Sequence, residues 1–220
     1  MPAARRADSR PAIGIPKGSV PVIYVFSQSD DPSSCSLLPD DEGGARLATE
    51  HLLGLGRRRI AHVTGPEHFE AVRLRRQGYR AALRKAHTVE PKGFFIAGKW
   101  SEEWGRDAVA KLFDGRSQPP DGIFCGNDQI ARGVCEALHE RKLSVPMDVS
   151  VVGFDNWDVM TEASRPKLTS IDMNLTELGR EAGRVMVQMI AGMEFKGTRR
   201  LPCTLAVRDS CGANAPANKG

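Results

Sequence analysis

The sequence lacks any apolar run long enough to cross a bilayer, and its N-terminus has no apolar core of the kind a secretory signal carries, so a cytoplasmic protein without a membrane partner is expected. Paired cysteines are missing too. Cys35, Cys125, Cys135, Cys203 and Cys211 are odd in number and free of CxxC spacing, which argues for reduced thiols. No two histidines stand at the spacing of a helical zinc site, and no cluster of Cys and His suggests a metal, so neither metal nor cofactor is expected. The GxSxG elbow, the GxxxxGK phosphate loop and a GxGxxG after a strand are also absent, which weighs against an enzyme. Internal repeats are not found. The net charge of +4, from 31 basic and 27 acidic residues, is too mild to argue for nucleic-acid binding on its own.

With 40% apolar and 26% charged residues, the 220-residue chain has the composition of an ordinary globular protein and can hold one large domain or two small ones. Its centre is the stretch from Asp121 to Asp158. Pro119 and Pro120 keep a helix from running in, and Ile123, Phe124 and Cys125 form a short apolar run suited to a buried parallel strand. Asn127 and Asp128 follow as good N-caps for a helix to Arg141, with Ile130, Ala131, Val134, Cys135 and Leu138 at helical spacing. Val149 to Phe154 makes a second strand that closes on Asp155 and Asn156. In an open α/β sheet ligands bind beyond the carboxyl ends of the strands, so Asn127, Asp128, Asp155 and Asn156 are candidate ligand contacts. Their amides and carboxylates suit a ligand rich in hydroxyls or amine donors. Plain capping by the first pair and a plain turn at the second are the alternatives.

Elsewhere, residues 1–19 read as a flexible leader, Val20 to Phe26 as a buried strand and Ser27 to Ser36 as loop. A helix from Asp41 to about Leu55 is expected to turn Leu47, Ala48, His51, Leu52 and Leu55 to one face. Ile60 to Thr64 is a strand, and the helix from Glu70 to Arg84 places Arg75 on its inner stripe with Ala71, Leu74, Gly78 and Ala82. An inward guanidinium needs a partner, either a buried carboxylate or an oxygen-rich ligand. After the strand at Phe94 to Ala97 comes Trp100, placed either to stack on a ligand or to pack in the core or a hinge. Ser101 caps the next helix. Leu168 to Ile171 is a further strand, Asn174 precedes a helix to about Ala191, and Leu201, Cys203, Leu205 and Val207 alternate as a final half-exposed strand.

The segments GARLATEHLLGLGRRRIAHVTGP, RLRRQGYRAAL, PDGIFCGNDQIARGVCEAL, VPMDVSVVGFDN and LTSIDMNLTELGREA, in that order, resemble the effector-binding domain of the lactose-repressor and galactose-repressor family of bacterial transcription regulators. The resemblance runs from about Val20 to Ser210. It implies an α/β fold of two doubly wound parallel-sheet subdomains of periplasmic-binding-protein type I, joined by three crossings, with a small molecule in the cleft between them. One subdomain is expected to be complete, over residues 41–170 and 198–210. The other, over 20–40 and 171–197, is expected to be partial, with residues 211–220 as a disordered tail. Arg75, Trp100, Asn127 and Asp155 match the family's sugar-contacting positions. The helix bearing Ile130, Val134 and Leu138 matches its dimer surface, although those three residues also fit a core.

Two departures from the family accompany the resemblance. The helix-turn-helix headpiece and the two βα units that normally follow it have no counterpart here, so operator DNA is expected to be reached only through a missing headpiece. Phe26 stands at a strand end where many relatives present a charged group, which makes it a further candidate contact and disfavours a simple hydrophilic sugar on that side. The expected function is sugar-type effector binding and dimerisation for a transcription regulator. A truncated module that pairs with a full-length regulator is the alternative, followed by a sugar-binding transport protein.

Overall fold

The computed structural model describes residues 20–213, apart from residues 30, 32 and 116. The expected leader at 1–19 and most of the expected tail lie outside the described residues. In chain order the elements are β1 (Ile23–Val25), β2 (Cys35–Pro39), α1 (Asp41–Gly54), β3 (Ile60–Thr64), α2 (Glu70–Lys85), β4 (Phe95–Ala97), α3 (Glu102–Phe113) and β5 (Gly122–Cys125). They continue with α4 (Asp128–Glu140), β6 (Ser150–Asp155), α5 (Asp158–Thr161), β7 (Thr169–Asp172), α6 (Leu175–Ile190), β8 (Gly197–Leu201) and β9 (Thr204–Ala206).

Six strands form the larger sheet in the order β4-β3-β5-β6-β7-β9, parallel throughout except for the antiparallel edge strand β9. Side chains alternate across a strand, and two cores result. Ala61, Val63, Ile123, Cys125 and Val151 meet α3 and α4 on one face, while Ile60, Phe124, Val152 and Phe154 meet α1 and α2 on the other. Burial on both faces explains why these strands read as unbroken apolar runs. On the first face α3 and α4 touch backbone to backbone. A Cβ at Gly133 would meet the Glu102 carbonyl, and one at Gly105 the Ile130 carbonyl.

The smaller sheet has the order β1-β2-β8, all parallel, with α6 packed on it through Leu178, Glu181 and Val185. Three crossings join the two sheets: Pro39 into α1, β7 into α6, and β8 into β9. Two hydrogen bonds tie the crossings down, from Asp40 N to the Leu201 carbonyl (2.8 Å) and from Asn174 N to Asp172 Oδ1 (2.6 Å).

Several sequence expectations change. Cys35 and Ser36 are the start of a fully buried strand, not loop, because Leu37 and Leu38 bring them into register with both β1 and β8. The final strand is two strands. Pro202 has no N–H for a ladder, so the chain leaves the small sheet after Leu201 and enters the large one at Thr204. Residues 198–201 therefore belong with the smaller sheet. On α1 the buried stripe is Asp41, Gly44, Ala45, Ala48, Thr49 and Leu52, and Leu47 and Leu55 are exposed. On α2 Leu74 is half-buried, and Val72, Tyr79 and Leu83 complete the inner face. Cys211 is buried rather than part of a loose tail, its carbonyl accepting from Ser150 Oγ at 2.7 Å.

Ile130, Val134 and Leu138 are a correction of another kind. All three are fully buried within the chain itself, among Val109, Leu112 and Val151, so they form core and cannot present a dimer surface. Truncation should show this directly. Leu138→Ala is expected to cost about 2–5 kcal/mol of stability, as large-to-small changes in a packed core do, read as a lowered denaturant midpoint. A variant that keeps its midpoint but sediments as a smaller species would return Leu138 to the surface.

Candidate functional site

The strand order runs outward from β3 to β4 on one side and from β5 to β7 on the other, so the topology reverses between β3 and β5. Loops leave in opposite directions there and open a crevice at the carboxyl ends. The smaller sheet stands over that crevice. Between them lies a cavity of about 160 Å3 lined by Asp41, Phe69, Arg75, Trp100, Asn127 and Asp155, with Phe26 and Leu38 contributed by the smaller sheet's side.

Arg75 is the buried centre of this site. Its Nε donates to Asp41 Oδ1 at 2.8 Å, Nη2 lies 2.8 Å from the same oxygen, and Nη1 donates to the Gly126 carbonyl. The guanidinium also stacks 3.6 Å over the Phe154 ring and lies 5.9 Å from that of Trp100. Of the two partners considered from the sequence, the fold supplies the protein carboxylate, and Arg75 also lines the cavity. Asp41 was not singled out from the sequence, because an acid in the first turn of a helix is ordinary and only the fold shows this one buried on the inner stripe with Gly44, Ala45 and Ala48.

Trp100 follows β4 and lies against Gly65, where a Cβ would overlap the indole. Its ring meets Phe69 edge-on, with centroids 5.8 Å apart. Asn127 does both things weighed for it: Oδ1 accepts from Ile130 N at 2.8 Å and caps α4, and the residue also lines the cavity, leaving the Nδ2 donors for whatever enters. Asp155 ends β6 with φ 106°, followed by Asn156 with φ 52°, a backbone that only the surrounding contacts hold in place. Burial pushes the Asp155 carboxyl up to about 7, with Arg75 pulling it down and Asp128 and Asp41 pushing it further up.

Asp128 is placed away from the cavity. Its carboxylate accepts from Ser170 Oγ (2.6 Å) and from Trp157 N (2.8 Å), so both oxygens are spent inside the protein, and burial raises it to about 6 despite those bonds. Asn156 also turns partly inward. Its N donates to Ser170 Oγ (3.1 Å) and its Nδ2 to Asp172 Oδ2 (3.0 Å). Phe26, with φ 57°, is half-exposed at the mouth. Among the described residues there is no group of His, Cys, Asp and Glu that would hold a metal ion. Phe69, Ala71, Leu38 and Pro39 complete the lining, and no local pattern in the sequence marks them.

A parallel-sheet unit joined to a smaller sheet by three crossings, with a polar and aromatic cavity between them, has the architecture of a hinged small-molecule-binding domain. Residues 49–211 match the family described as Periplasmic binding protein-like domain. The ribose operon repressor of Escherichia coli strain K12 is 38% identical over 174 residues, which cover 78% of this chain and 52% of that protein. The repressor CytR of the same organism is 34% identical over 164 residues, covering 74% and 48%. Among solved structures, a LacI family transcriptional regulator from Enterococcus faecium with bound ribose superposes with a TM-score of 0.74 at 31% identity, covering 86% of this chain and 70% of that one. The Escherichia coli repressor ascG gives 0.77 at 28%, covering 88% and 70%. The chain belongs to the LacI family of transcription regulators, within its periplasmic-binding-protein-like domain. It spans about half the length of the curated relatives it matches.

Two outcomes are expected from the electrostatics. Both raised carboxyls bind a proton more tightly in the fold than in the unfolded chain. Their contribution is therefore fully present below about pH 4 and is lost as pH rises through about 6 for Asp128 and about 7 for Asp155. In Asp155→Asn the melting temperature of the ligand-free protein should fall less between pH 5 and 8 than in the parent; an identical slope would mean that Asp155 is ionised throughout. Asp41→Ala strands the buried Arg75 cation and should cost about 3–5 kcal/mol, read by chemical denaturation, with Asp41→Asn costing less. Equal stability of the alanine variant and the parent would show that water reaches the guanidinium.

Proposed function

We propose that the chain is the effector-binding and dimerisation region of a bacterial transcription regulator, with a sugar or a related polyhydroxylated molecule as effector. The observation that carries this reading is the meeting of Arg75, Asn127, Asp155 and Trp100 around one cavity at the topological switch point. The amide donors of Asn127 and the carboxylate acceptors of Asp155 and Asp41 are suited to hydroxyls, while Trp100 and Phe69 offer faces for the apolar side of a sugar ring. The ribose operon repressor and the ribose-bound regulator among the relatives support the same class.

In this reading the effector favours one closure angle of the two sheets about the three crossings, and a dimer conveys that bias to operator-binding headpieces outside this chain. The cytoplasm is the compartment such a regulator works in. This reading assigns the dimer contact to the outer side of α4, which bears the exposed Glu136 and Glu140, and to the segment after β6 with Val159, which is 66% exposed. A second reading, a module that pairs with a longer relative, draws on the outer edge of β1, which has no strand partner among the described residues.

Asn127→Ser tests the site without removing the cap, because the hydroxyl can still accept from Ile130 N while the amide donors are gone. Titration with D-ribose and with common pentoses and hexoses, followed by calorimetry and thermal shift, should give a stabilising sugar for the parent. At least a tenfold weaker response is expected in Asn127→Ser and in Asp155→Ala. If every sugar leaves the parent's melting temperature unchanged, the effector class is wrong.

A further inference from the structure

The inner cavity does not end at Phe26 and Asp155. Both residues also line a second, larger compartment of about 560 Å3, walled by Asn156, Trp157, Asp158, Asp172, Met173, Leu175 and Thr176. Alone, the inner cavity of about 160 Å3 falls below the roughly 300–1,000 Å3 usual for ligand pockets, whereas the two together fall inside that range. A single sugar ring leaves the outer compartment empty.

The chemistry of the outer compartment differs from that of the inner one. Among the described residues its lining includes three carboxylates, Asp155, Asp158 and Asp172, and no basic side chain. Asp172 is partly satisfied by Asn174 N and Asn156 Nδ2. Asp155 is not, since no hydrogen bond from a described residue reaches its carboxylate, which burial, with Asp128 and Asp41 nearby, leaves with a raised proton affinity. Asn156 Oδ1 is likewise buried without a hydrogen bond. These are acceptors short of donors. Against them stand flat and apolar surfaces: Trp157 is 55% exposed, Leu175 is 48% exposed, and Phe26 stands between the compartments. Burying such acceptors under a group that offers no N–H or O–H would cost free energy, while a planar group with N–H donors would satisfy them and cover the aromatic faces at once.

We infer that the effector has two parts, a hydroxylated ring in the inner cavity joined to a flat, largely apolar group carrying N–H donors in the outer compartment, between Trp157 and Leu175 and against Asp155 and Asp158. This deepens the effector-binding reading and rests on it. Trp157 and Asp158 then act as specificity residues, and their exposure means that substituting them spares the core.

Calorimetric titration of the parent with three glycosides of one sugar tests the inference, using methyl, p-aminophenyl and p-carboxyphenyl aglycones on β-D-ribofuranose and, in parallel, on β-D-glucopyranose. The p-aminophenyl compound of at least one sugar is expected to bind at least tenfold tighter than the methyl glycoside, and the p-carboxyphenyl compound weaker than the p-aminophenyl. In Trp157→Ala and Asp158→Asn the ratio of p-aminophenyl to methyl affinity should collapse toward one. Equal binding of all three aglycones to the parent would overturn the two-part effector while leaving sugar binding in place. A preference that survives both substitutions would also overturn it, by putting the second group elsewhere. Absence of binding by every glycoside and by the free sugars would overturn both the inference and the sugar reading beneath it.

Discussion

The Arg75 guanidinium, buried beside Asp41 and bonded to the Gly126 carbonyl, sits where the first turn of α1, the middle of α2 and the end of β5 converge. It is a cation held away from water, and such a charge persists only if a carboxylate and further acceptors surround it. That requirement draws Asp41 inward at the first residue after a crossing between the two sheets. It also sets the electrostatic conditions for the remaining acids. Arg75 is already compensated by Asp41, so Asp128 and Asp155 share what attraction is left, and burial leaves both with raised proton affinity.

Those two carboxyls then diverge in role because of what reaches them. Asp128 receives a hydroxyl and a backbone N–H, which lock the N-terminus of α4 to β7 and to the segment after β6. Asp155 receives neither and faces the cleft from a left-handed backbone. One aspartate is part of the frame, and the other opens on the cavity. A chain of hydrogen bonds links them onward: Asn156 N to Ser170, Asn156 Nδ2 to Asp172, and Asn174 N to Asp172, at the crossing into α6. In the proposed reading, these bonds connect the residue after Asp155 to the crossing into α6, which gives a bound effector a route to bias the angle between the sheets.

Much of the fold was legible because the larger sheet is covered on both faces. Each central strand reads as an apolar run, and helices with strong N-caps at Asn127 and Ser101 separate them. The strand-end rule then located Asn127 and Asp155, and the inner stripe of α2 located Arg75. Reading was poorer for the smaller sheet. CSLLP follows a polar stretch and has no alternation, and the break between β8 and β9 depends on which sheet each half joins. On α4 the periodicity of Ile130, Val134 and Leu138 fitted a core, and it was the dimer surface implied by the resemblance that their burial contradicts.

By itself the sequence determined the order of the central parallel strands of the larger sheet and the helices between them, the candidate polar groups at the strand ends and the inward placement of an arginine, because each follows from local spacing and from the cost of burying charge. Only the tertiary structure decided that Asp41 is the partner of Arg75, that Asp128 is satisfied internally while Asp155 is open, and that two cavities meet at Phe26 and Asp155. These depend on residues brought together from separate elements across a switch point, and the distance in space between two such residues is not encoded in their distance along the chain.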